Sequence, residues 1–117
     1  MERRSSERIP TNLYVRFFYN KTVHTGIVTN LSSNGMCIET RMHIPLESRL
    51  EIYMLVKEAH LKISVKVSWQ IRKNDRCCGM GIQLNQQQQH YKSLVESVRS
   101  TFFILRYPLS DISLLCK

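Results

Sequence analysis

The chain has 117 residues, 43% of them hydrophobic, which suffices for one compact domain with a modest core and leaves no room for a second. Lys and Arg number 17 against 9 Asp and Glu, a net charge of +8 that favours anionic partners without choosing among nucleic acid, a nucleotide and an anionic membrane. Cys37, Cys77, Cys78 and Cys116 lack C-x-x-C spacing and His24, His43, His60 and His90 are scattered, which excludes a zinc signature, and no apolar run is long enough to span a bilayer.

The start, Met1-Glu2-Arg3-Arg4, continues into polar residues instead of an apolar segment, so it is not a secretory signal. A cytoplasmic protein with reduced thiols is expected, and Cys77 and Cys78, adjacent in a strand, should face opposite sides.

After an arginine-rich arm, residues 1–11, Pro10 reads as a stop and Asn12 to Phe18 as a first strand, with Leu13, Val15 and Phe17 alternating with Tyr14, Arg16 and Phe18. Val23 to Leu31 reads as a second strand, and Ser32-Ser33-Asn34-Gly35 as a turn into a third through Met36, Ile38 and Thr40. A break at Ile44 to Ser48 precedes a fourth strand through Leu50, Ile52 and Met54. In the fifth, Leu61, Ile63, Val65, Val67, Trp69 and Ile71 alternate with polar residues, which predicts one core face carrying Trp69 as a core or barrel-rim side chain. Asn74-Asp75-Arg76 turns the chain into a sixth strand, Cys77 to Leu84, where Gly79 and Gly81 mark a bulge or a close backbone approach.

Asn85 followed three positions later by Gln88 has the spacing of a capping box, so a helix is expected over residues 85–107. Its core face is Tyr91, Leu94, Val95, Val98, Phe102 and Leu105. Pro108 limits it and leaves a tail, 108–117. The predicted fold is mainly β: a small six-stranded antiparallel barrel over residues 12–84, with the helix on an opening or flank.

Two short patterns stand in order along this frame. Arg4 and Arg8 have the spacing R-x-x-x-R, and Asn30, Ser32 and Gly35 the spacing N-x-S-x-x-G at the entry to the second hairpin. Their order and strand context, with Val67-Ser68-Trp69 and Gly81-Ile82-Gln83-Leu84 downstream, resemble the PilZ domain family. That resemblance implies a six-stranded barrel that binds cyclic di-GMP, with Arg4, Arg8, Asn30, Ser32 and Gly35 as the ligand-binding residues, to which Arg3, just outside the motif, is added as a further candidate.

The chemistry agrees. A guanidinium fork matches guanine O6 and N7 and stacks on base faces, Asn30 and Ser32 supply further donors and acceptors, and Gly35 leaves room for a close backbone. The family motif takes Asp or Asn at its first position, and Asn30 gives up the two-oxygen grip a carboxylate offers guanine. Arg3 adds one guanidinium beyond the motif, which favours an intercalated pair of ligands per chain.

The expected function is therefore a cyclic di-GMP receptor or adaptor that rearranges on binding and signals to a protein partner. No cofactor and no enzymatic activity are expected, since G-x-S-x-G, H-E-x-x-H and the P-loop are missing from the sequence. Two alternatives are a basic nucleic-acid-binding barrel using Lys62, Lys66 and Arg72, and a PilZ-like scaffold that binds no nucleotide. Nucleic acid is the less favoured ligand, and the sequence leaves the partner and the oligomeric state open.

Overall fold

The computed structural model describes residues 8–56 and 59–106, with side chains at 8–56 and 60–100. Six strands, β1 (Ile9–Tyr19), β2 (Thr22–Leu31), β3 (Gly35–Glu39), β4 (Arg49–Val56), β5 (Ala59–Lys73) and β6 (Arg76–Leu84), precede one helix, α1 (Gln89–Arg106). They close into an antiparallel barrel in the order β1-β2-β3-β6-β5-β4, the predicted architecture.

Period-two patterning supplies the core. Val15 and Phe17 of β1, Ile52 of β4, and Ile63, Val65 and Val67 of β5 all point inward and are buried. Two-residue turns, Asn20-Lys21 and Asn74-Asp75, close the β1–β2 and β5–β6 hairpins with positive φ at all four residues (53, 63, 52 and 64°), the turn geometry whose twist matches the flanking strands. Residues 40–48 cross from β3 to β4 and bury Ile44.

Three sequence expectations need correction. Pro10 lies inside β1 instead of stopping it, so the strand begins at Ile9. A register shift between Pro10 and Leu13 accommodates the missing N–H. The β6 glycines are as expected, since an added Cβ would clash at both Gly79 and Gly81, and of the two β5–β6 register shifts the one at Val67/Trp69 puts its extra residue on β5 while the one at Ile71/Arg72 puts its extra residue, Cys78, on β6 beside Gly79. The first of these shifts overturns the uninterrupted alternation of β5, because one extra residue reverses the phase and leaves Trp69 40% exposed.

The third correction is to the helix start. Asn85 does not cap α1: its N–H still donates to the Ser64 carbonyl at 3.2 Å, and the first helical bond runs from Lys92 N–H to the Gln88 carbonyl. The Gln88 carboxamide instead pairs with the Ser64 backbone in both directions, accepting from its N–H and donating to its carbonyl at 3.1 Å each. A side-chain amide thus extends the β5 ladder by one rung before the helix begins at Gln89. Tyr91, Leu94 and Val95 then close the core from the end of the barrel that holds the β2–β3 turn. No described helix is long and apolar enough to cross a membrane.

Candidate functional site

The outer wall carries a row of facing residues across five strands. Pro10 faces Asn30, Asn30 faces Cys37, Cys37 faces Gly81, and Gly81 faces Trp69. Two irregularities set this row outward. A register shift in β2 between Val28 and Asn30 turns Asn30 away from the core that Val28 occupies, and the shift in β5 does the same for Trp69 relative to Val67.

Arg8, immediately before β1, reaches over the row. Its Nη1 donates to Asn30 Oδ1 at 2.8 Å and approaches Cys37 Sγ at 3.8 Å, while its Cζ sits 5.7 Å from the Trp69 ring centroid. That distance is within cation–π range. The ion pairs among the described residues, Lys62 with Glu51 and Lys66 with Glu47, lie elsewhere, so no carboxylate among the described residues neutralises Arg8.

Gly81 explains the position of Trp69. A Cβ at residue 81 would fall inside the indole, so the ring lies flat on this backbone, with its outer surface toward solvent. Sequence reading placed Trp69 on the core face and missed it as part of this surface. The paired signals of a Trp one register from a Gly become legible only once the β5–β6 shift is known.

The β2–β3 turn completes the site. Ser32 is buried, its N–H donates to the Gly35 carbonyl at 2.9 Å, and its hydroxyl accepts from Asn34 N–H at 3.4 Å. Gly35 is required by proximity, since an added Cβ would strike the Ile82 carbonyl of β6. The Tyr91 hydroxyl of α1 lies 2.6 Å from both the Ser32 and Gly35 carbonyl oxygens and shares its proton between them. Burial raises the Tyr91 pKa well above its usual 10.0, opposed by the Ser32 hydrogen bond and by the positive charge of Arg8. Tyr91 was read from the sequence as a core residue only.

Arg8, Asn30, Ser32 and Gly35 are thus brought together around one turn, while Arg3 and Arg4 lie outside the described residues. Among the described residues no cluster of three or more His, Cys, Asp or Glu could hold a metal ion. Cys37, Cys77 and Cys78 are free thiols.

The site thus sits on a closed six-stranded antiparallel barrel, with Arg8 poised on an aromatic face beside a Gly-ended turn. The PilZ domain model matches residues 2–100, and the chain belongs to the PilZ domain family. A search of curated proteins gives no match.

Solved structures share the fold at low identity. The Bacillus subtilis inhibitor of motility, MotI/DgrA, superposes with a TM-score of 0.72 at 12% identity over 86% of this chain, which spans about half (52%) of that protein. The PilZ domain of CeSA from a cellulose-synthesizing bacterium gives 0.60 at 20% identity, covering 82% of this chain and 98% of that one. The PilZ domain of Escherichia coli YcgR, solved with c-di-GMP, gives 0.66 at 10% identity, covering 86% and 94%.

Proposed function

We propose that this PilZ domain is a cyclic di-GMP receptor whose ligand lies on the outer wall between Arg8, Asn30 and Trp69. The observation that carries this reading is the Arg8 guanidinium, held between the Asn30 carboxamide and the indole face with no carboxylate partner among the described residues. A cation beside an open π face suits a ligand made of flat guanines and anionic phosphodiesters. The family membership and the c-di-GMP in the YcgR structure support the same ligand.

In this reading Arg8 gives its fork to guanine O6 and N7, and Trp69 offers a stacking surface. Asn30 Oδ1, which Arg8 now occupies, is released to a guanine N–H as Arg8 turns to the ligand. Ser32 and Gly35 hold the turn and present its backbone. Arg4 enters from the motif alone and Arg3 from its place beside it in the sequence, as added cations for the second base and the phosphates.

The role is reception and relay to a protein partner, without catalysis. Three free thiols fit the reducing cytoplasm, where we place the protein. Calorimetric titration with cyclic di-GMP tests the assignment. Saturable binding that Arg8→Ala weakens by on the order of thirtyfold or more supports it, while heat that depends only on ionic strength and is matched by a short oligonucleotide refutes it.

A further inference from the structure

The end of β3 away from the Gly35 turn opens into a second feature. β3 has 5 residues, whereas its neighbours β2 and β6 have 10 and 9. Its last pairings are Glu39 with Ile27 and with Gly79, so Thr22–Gly26 of β2 and Arg76–Cys78 of β6 continue past it. Two strands flanking a missing third stand two inter-strand spacings apart, about 9.6 Å, which leaves room for one added strand. The result is a groove of about 1410 Å³.

The facing backbone edges lack a strand partner among the described residues. The crossing chain satisfies them only at the floor, where the Thr40 hydroxyl donates to the Thr25 carbonyl at 3.1 Å and Thr40 N–H donates to the Cys78 carbonyl at 3.1 Å. These bonds fix the direction of the edges: Thr25, and by alternation Val23, turn their polar groups into the groove from β2, and the Cys78 carbonyl does so from β6, where Arg76 closes the hairpin against Lys73 and contributes its side chain. Unpaired edges of this kind are templates for an added strand.

Charge selects what can enter. Arg41, Lys73 and Arg76 line the groove against the single carboxylate Glu39, and none of the three has an ion-pair partner among the described residues. Val23, 50% exposed, gives the β2 side an apolar patch.

We propose that this groove is a docking slot for an extended acidic segment of a partner protein, which enters as an added strand in line with β3. Backbone pairing to β2 and β6 supplies affinity, and alternate acidic side chains meeting the three cations supply selectivity. The slot is distinct from the surface around Arg8, and its occupation does not depend on the cyclic di-GMP assignment.

The test is selection of a displayed library of random short peptides on the native protein, with counter-selection on the folded Lys73→Glu/Arg76→Glu variant. Enriched peptides should carry Asp or Glu at alternating positions and bind the variant more weakly by on the order of tenfold or more. They should shift the amide resonances of Val23, Thr25, Arg76 and Cys78 and protect Cys77 and Cys78, but not Cys37, from iodoacetamide. N-methylation of alternate peptide amides should abolish binding, and Arg8→Ala should leave it intact. Selection that yields no peptide distinguishing the two proteins, or peptides whose binding survives N-methylation, would overturn the slot.

Discussion

The Tyr91 hydroxyl donates to the Ser32 carbonyl oxygen at 2.6 Å, joining residues 59 positions apart in sequence. This bond ties α1 to the turn that follows Asn30, so a ligand that reshapes the turn also acts on the helix packed over the barrel end. Tyr91→Phe keeps the ring and removes the proton, leaving the Ser32 and Gly35 carbonyls short of a donor. Chemical denaturation should show a loss of about 1–3 kcal/mol.

The same phenol sets an alkaline limit. Its pKa is raised in the folded protein above the unfolded 10.0, so the stabilisation is complete below pH 10 and declines as pH rises from there toward the folded value. The native protein should lose stability above pH 10 with a slope of at most about 1.4 kcal/mol per pH unit attributable to this group, and Tyr91→Phe should lack that component. Identical alkaline profiles for the two proteins would contradict the role given to the phenol.

Strands with unbroken alternation were readable directly: Val15 and Phe17 point inward, Tyr14 and Phe18 outward, as their spacing demands. That Arg8 and Asn30 belong to one site was legible from the order of the two motifs, but their direct hydrogen bond was not, because it depends on the β1–β2 pairing that brings residue 8 beside residue 30. Trp69 was not, since a one-residue shift against β6 reverses its face, and that register is a tertiary property. The late helix start has a similar origin. Gln88 spends its carboxamide on Ser64, a strand residue 24 positions away, which no local capping pattern encodes.

Gly81→Ala places a methyl group where the indole now lies and should displace Trp69 from the wall. The overpacking should cost about 1–3 kcal/mol of stability. Trp69 is the sole tryptophan, so its fluorescence reports the change directly: emission should shift to the red, and the response to cyclic di-GMP should diminish. Unchanged emission would show that the ring does not depend on Gly81.

Asn30→Asp turns the 2.8 Å hydrogen bond from Arg8 into an ion pair and gives guanine a two-oxygen acceptor once Arg8 turns to the ligand. Cyclic di-GMP affinity, measured by calorimetry, should hold or rise. A sharp fall would mean that residue 30 does not face guanine.

Arg3 supplies one cation more than the motif needs, and two stacked ligands bring together four phosphodiester charges that an added cation offsets. Saturating calorimetry should give two ligands per chain, falling toward one in Arg3→Leu. A ratio of one for the native protein would remove the stacked pair while leaving the site itself in place.

The most direct measurement is titration of the native protein and of folded Arg8→Ala with cyclic di-GMP at two salt concentrations. The guanidinium contributes both a fork to guanine and an uncompensated charge, so its removal should weaken binding by on the order of 2 kcal/mol or more, about thirtyfold, at either salt concentration. Equal affinity in the two proteins, with the variant's barrel intact, would contradict the assignment of Arg8 and with it the site on the outer wall.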